Sequence, residues 1–218
     1  MRQFHRGWLP ARCGAYRCAD GPSLQVWYAT GMNGPVELTC HPRTRTDAVR
    51  GIQARVSRAA GGELRLSFLL SGALSRLRVP PRRAPVMIEG LWRHTCFEAF
   101  VAVESSSAYH ELNFAPSGEW AVLAFCRYRE REPLPTPVTT PQIAVTTRRD
   151  HLELEVLVGL DRLSPAYASA PLRLALAAVV EATNGECSYW SLHHPAGKPD
   201  FHHGDAFVLR LEPPGVAC

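Results

Sequence analysis

The chain has 218 residues, 46% hydrophobic and 20% charged, with a formal net charge of +4. That is enough chain for one sizeable core and one domain, in ordinary globular proportions. No apolar run approaches the roughly 20 residues that cross a bilayer, and the arginines are scattered instead of forming a stripe, so neither a membrane nor a nucleic-acid partner is expected.

Residues 1–31 carry arginines, Cys13, Cys18, Gly14, Gly21, Pro10 and Pro22, without sustained periodicity. They lack the apolar core of roughly 7–15 residues that a signal peptide needs. We expect this segment to be disordered or an upstream extension, with the domain over 32–218 and a cytoplasmic location. Strand signals begin at Val36. Val49–Arg58 is a candidate strand, Gly61 and Gly62 form a turn, and Glu63–Leu70 alternates, with Leu64, Leu66, Phe68 and Leu70 inward. Residues 71–90 hold three prolines and read as an irregular connection.

Three strands follow: Trp92–Val103, Ala108–Phe114 and Trp120–Tyr128, the last two separated by a turn at Pro116–Gly118. In the second, His110, Leu112 and Phe114 point one way, and Tyr109, Glu111 and Asn113 the other. Glu130–Pro141 reads as a proline-rich loop. Gln142–Thr147 and His151–Val158 form a hairpin, and Asp161–Leu163 a helical turn. Leu172–Glu181 sets Leu172, Leu174 and Leu176 against Arg173, Ala175, Ala177, Val179 and Glu181. Those small outer residues leave a surface on which something else can pack. Asn184-Gly185 signals a two-residue hairpin, Glu186–Leu192 returns, and Ala206–Leu211 is last. About ten or eleven short strands with many turn residues predict an all-β, two-layer antiparallel sandwich.

Seven cysteines, at 13, 18, 40, 96, 126, 187 and 218, make an odd count with no CxxC pair, so reduced thiols are expected. Among polar residues in apolar surroundings, Glu98 stands in a run of Cys, Phe, Ala and Val. A carboxylate there needs partners, such as Arg93 or Arg127, or a raised pKa. Trp92, Trp120 and Trp190 each read as a stacking surface for a ligand or as core. Glu111 and Asn113 share a face with Tyr109, which is a site face or a solvated one. The run Trp190–His203 holds four of the nine histidines, including His194 and His202, with Asp200. It reads as a pocket rim or a metal-binding loop, although it lacks HExxH or H-x3-H spacing. Glu98, Glu111 and Glu181 could supply the carboxyl pair of a hydrolase.

The pattern Trp92-x5-Glu98, followed by Tyr109-x-Glu111-x-Asn113-Phe114-x-Pro116-Ser117-Gly118 and by Tyr189 to His202, resembles DOMON-like domains related to family 9 carbohydrate-binding modules. Single-domain bacterial members carry a similar Tyr-Trp and Pro-Asp-Phe-His stretch. The likeness spans roughly residues 36–211. It implies a β-sandwich binding module for sugars or, in other branches, haem, in which two tryptophans sandwich a sugar while Glu, Asn and Arg bond its hydroxyls. On matching positions this implies Trp92 and Glu98, with Trp190 as the second wall and Glu181 as a polar contact.

The expectation is a non-catalytic module for a carbohydrate or sugar-like small molecule, with no cofactor. Its ligand-binding residues are Trp92, Arg93, Glu98, Tyr109, Glu111, Asn113, Glu181, Trp190, His194, Asp200 and His202. The alternatives are a hydrolase using the histidine loop, or a haem- or metal-binding domain with His94 or His194 as a ligand.

Overall fold

A computed structural model describes residues 34–59, 62–134 and 138–213. The expectations for residues 1–31 and for Gly61 lie outside the described residues. The described residues form 12 strands: β1 Val36–Cys40, β2 Val49–Arg58, β3 Glu63–Gly72, β4 Cys96–Val103, β5 Tyr109–Phe114, β6 Trp120–Arg127, β7 Glu130–Glu132, β8 Gln142–Thr147, β9 His151–Gly159, β10 Leu172–Glu181, β11 Cys187–Ser191 and β12 Leu209–Leu211. All strand pairs are antiparallel.

One layer runs β1-β2-β3-β9-β8 and the other β7-β6-β5-β4-β10-β11. Strand β1 belongs to both. Its first half pairs with β2 through Val36–Leu38, and its end pairs with β11 through Thr39 and Cys40. β12 pairs with the first residues of β10. The layers meet at a core built by alternation: Leu64, Leu66, Phe68 and Leu70 from β3 against Phe97, Leu112, Phe114, Leu174 and Leu176 from the second layer. Phe68 and Phe97 touch across it with ring centroids 5.1 Å apart. Among the described residues no helix is long and apolar enough to cross a membrane.

Five local features differ from the sequence reading. Trp92 is not in a strand but in a 3-10 turn, Leu91–Arg93, entered through Gly90 at φ 89°. The chain arrives here from the proline-rich connection and must turn before β4 can begin at Cys96. The proline-rich loop contains β7, because Tyr128 and Arg129 make a tight turn between Arg127 and Glu130 with Arg129 in the left-handed region (φ 56°). Hairpin signals look for glycine or asparagine there, so an arginine hid it.

The turn at Asn184-Gly185 is wider than two residues. Gly185 N–H bonds Ala182 O and Ala182 N–H bonds Glu186 O, leaving Gly185 alone at φ 87°. The helical turn expected at Asp161–Leu163 is a plain turn there and a 3-10 turn follows at Pro165–Ala168, and Ala206 closes another 3-10 turn at Gly204–Ala206, so only Leu209–Leu211 is strand.

Candidate functional site

The second layer has an outer face, and its composition is unusual. Register sets Glu98 opposite Asn113, Phe100 opposite Glu111 and Ala102 opposite Tyr109 on β4 and β5. It continues with Tyr109 opposite Phe125 and Glu111 opposite Leu123 on β6, and Val179 opposite Tyr189 on β10 and β11. Because side chains alternate, all of these point away from the main core. The segment between β11 and β12 then folds over part of this face. Phe201, Ala206 and Phe207 pack on Phe100, Tyr109, Ala175 and Ala177 as a second apolar cluster. The small residues of β10 thus receive a covering segment.

What the segment leaves uncovered is a hollow of about 340 Å³, within the size range of small-molecule sites. Glu98, Glu111, Leu123 and Val179 line it from the sheet, Trp92, Tyr189, Phe125 and Phe201 supply aromatic walls, and Arg129, Arg131, Pro199 and His202 complete it.

Its floor is polar and buried. Glu98 is 2% exposed, and its Oε1 has no hydrogen-bond partner among the described residues. Burial and, secondarily, the charge of Glu111 push its carboxyl well above the usual range. Glu111, its diagonal neighbour on the next strand, accepts from Asn113 Nδ2 at 2.7 Å. Burial raises Glu111 too, offset in part by the Asn113 bond and by Arg131 and Arg129. Two buried carboxyls at diagonal positions disfavour the doubly ionised pair, so this floor takes up a proton more readily than two solvated carboxyls would.

The tautomer of His202 follows from its neighbours. Arg129 N–H donates to Tyr109 Oη at 3.1 Å, and that oxygen lies 2.8 Å from His202 Nδ1. Burial raises the phenol, so it keeps its proton and donates it to Nδ1. Burial, and then Arg129, lowers His202 to about 4, so the ring is neutral, with its hydrogen on Nε2, 3.5 Å from Glu111 Oε2.

Asp200 fastens the covering segment to the β6–β7 turn. It accepts from Tyr128 Oη at 2.6 Å, from Arg129 Nη2 at 2.8 Å and from His202 N–H at 3.1 Å. Asp200 shapes the rim without lining the hollow.

The structure therefore brings Trp92, Glu98, Glu111 and His202 into one lining, with Asn113 and Tyr109 holding two of them. Trp190 is not among them. It lies on the inner face of β11, 6% exposed in the main core, with Nε1–H donating to Ser188 Oγ at 3.0 Å. The expectation that Trp190 forms the second wall is corrected: its neighbour Tyr189 occupies the outer face instead. Trp120 is core as well.

Glu181 is spent on structure. Arg78 lies 2.9 Å from its Oε1 and His94 2.8 Å from its Oε2, and it does not line the hollow. Arg93 shares the turn with Trp92 but is not in the lining, and among the described residues no ion pair joins Glu98 to Arg93 or to Arg127, which instead pairs with Glu130. His194 donates from Nε2 to Thr39 O at 2.8 Å and stands behind Phe201, with ring centroids 6.3 Å apart, not in the lining. Among the described residues no group of three or more His, Cys, Asp or Glu is arranged to hold a metal ion.

Sequence reading missed Arg129, Arg131, Tyr189 and Phe201. Arg131 sat in a stretch taken for loop, and Arg129 between that stretch and the preceding strand. Tyr189 and Trp190 compete for the inner face of one short strand, and both are aromatic.

No family model and no curated protein matches the sequence. Among solved structures, the chain is similar to a candidate carbohydrate-binding protein from Bacteroides uniformis, at 13% identity and TM-score 0.56, over 81% of this chain and 84% of that one. A family 9 carbohydrate-binding module from Caldicellulosiruptor kristjanssonii in complex with cellotriose matches at 9% identity and TM-score 0.48, over 84% of each chain. At 13% identity the first likeness is one of fold, the antiparallel β-sandwich.

Proposed function

We propose that this protein is a non-catalytic binding module, of the DOMON-like kind related to family 9 carbohydrate-binding modules, for a carbohydrate or sugar-like small molecule. The observation that carries the reading is Glu98: a buried carboxyl with an unpartnered oxygen, on the floor of an open hollow walled by aromatic rings. Leaving such a group without a partner costs about 1–3 kcal/mol or more, a cost that a ligand hydroxyl offsets. A sugar presents hydroxyls around its edge and C–H groups on its faces. The hydroxyls meet Glu98 and Glu111, while a face lies on Trp92, with Tyr189 and Phe201 on other sides. The sandwich shared with the Bacteroides uniformis protein, itself described as a candidate carbohydrate binder, supports the same reading.

A glycan and metabolite binding screen by calorimetry tests it, with Trp92→Ala and Glu98→Gln as controls. A hit weakened at least tenfold by both variants is the expected result. Hits that bind wild type and both variants equally place the site elsewhere.

One observation favours a second reading. Glu98 and Glu111 are neighbouring carboxyls, both raised by burial and Glu98 further by the charge of Glu111, and a carboxyl pair with one member raised is what glycoside hydrolysis uses. Turnover of aryl glycosides by wild type, abolished in Glu98→Gln, replaces binding with catalysis.

A further inference from the structure

We infer that the ligand of this hollow is an acidic sugar, its hydroxyls on the carboxyl floor and its carboxylate at Arg131. This deepens the carbohydrate reading above and rests on it. Two guanidiniums line the hollow, and their situations differ. Arg129 is already engaged: its Nη2 donates to Asp200 at 2.8 Å, and Asp200 is fixed by two further donors. Arg131 is not held in this way. Its partner is Glu89, 3.3 Å away, and that pair joins side chains that are 47% and 70% exposed. An ion pair so exposed contributes little, so a ligand carboxylate can displace Glu89.

Geometry gives Arg131 the right reach. It stands opposite Phe125 in the β6–β7 ladder, on the face that carries Tyr109 and Glu111. Its guanidinium lies 5.9 Å from the ring centroid of Trp92, the wall on which a sugar face stacks. A pyranose lying against that indole presents its edge to the guanidinium, whose planar fork accommodates a carboxylate through two parallel hydrogen bonds. The floor favours uncharged groups, because Glu98 and Glu111 repel an anion placed beside them. The hollow is thus polarised: hydroxyl-binding at the sheet and anion-binding at β7. A neutral sugar leaves Arg131 with only Glu89, whereas a uronic acid uses both ends.

Calorimetric titration of the full chain with D-glucuronate and D-galacturonate, beside D-glucose and D-galactose, tests this. The expected result is uronate binding about tenfold tighter than the matching neutral sugar, the scale of one hydrogen bond to a charged group. Added sodium chloride shrinks the preference through screening. Arg131→Gln brings the uronate-to-neutral ratio close to one, and Glu89→Gln, which removes the competing carboxylate, enlarges it. Because both positions are exposed, thermal melts near wild type separate these changes from misfolding. Equal affinity for acidic and neutral partners, or a preference that survives Arg131→Gln, overturns the acidic-sugar assignment while leaving carbohydrate binding in place. Binding of none of the four sugars, together with an empty glycan screen, defeats both readings.

Discussion

The two tryptophans of the sequence motif lie on opposite sides of one layer, Trp190 in the main core and Trp92 in a turn beside the hollow, and their replacement by alanine separates binding from stability. Trp190 is 6% exposed within the main core and satisfies its indole N–H through Ser188. Removing a buried tryptophan side chain costs about 3–5 kcal/mol in lost transfer energy and cavity formation. At roughly 2–4 °C per kcal/mol for a chain of this size, Trp190→Ala lowers the melting temperature by about 6–20 °C.

Trp92 is half-buried at the edge of the second cluster. Its loss forfeits part of one side chain's burial and a cation–π contact with Arg131, together about 1–2 kcal/mol. Its larger effect is on binding, where a stacking wall is removed. Thermal melts by circular dichroism, paired with calorimetric titration of the tightest glycan from the screen well below both melting temperatures, read both quantities. Trp190→Ala is expected to melt low and bind like wild type, and Trp92→Ala to melt near wild type and bind at least tenfold more weakly. A Trp190→Ala variant that melts within about 2 °C of wild type contradicts its place in the core. The opposite assignment of binding loss contradicts the site.

Three further outcomes follow from the buried polar groups. Glu98 has its folded pKa raised, so the folded state binds a proton more readily than the unfolded chain, and wild type loses stability as pH rises through that folded value. Glu98→Gln escapes this loss, and its melting temperature relative to wild type is expected to climb as pH rises above the ordinary glutamate value of 4.5; a constant difference contradicts the burial argument. His110 works in the other direction. It lies 2.8 Å from Tyr167 Oη, which itself donates to Val101 O, and burial lowers the imidazole to about 4. The unfolded chain takes up this proton near 6.5, so stability falls as pH drops from 6.5 toward 4, by up to about 3 kcal/mol. His110→Gln is expected to flatten that acid limb in urea titrations, and an unchanged limb assigns the acid sensitivity elsewhere. Finally, Asp200→Ala frees the covering segment from the β6–β7 turn. Amide exchange at Phe201 and His202 is expected to speed up severalfold or more while exchange in β2 and β3 is unchanged, and equal protection in both proteins refutes the fastening role.

The sequence by itself determined most of the strands and much of the sheet's chemistry. Alternation in 63–70, 109–114 and 151–158 marked strands and two unlike faces, because a period of two leaves no other way to gather Leu64, Leu66, Phe68 and Leu70 on one side. It also marked Glu98 as a carboxyl with an environment to explain, and set Tyr109, Glu111 and Asn113 together. What it did not determine was which side of β11 faces the core. Ser188 and Trp190 compete there with Cys187 and Tyr189, and an aromatic residue on each parity gives the pattern no sign. Only pairing with β10 and β1 settles it, placing Trp190 inside and Tyr189 over the hollow. The hollow itself was also out of reach. Its rim depends on Asp200 meeting Tyr128 and Arg129, more than seventy positions back along the chain. Arg129 adopts a left-handed backbone that no local signal announces. Faces are written in local periodicity, but a site made where distant segments close over a face exists only once the sandwich has folded.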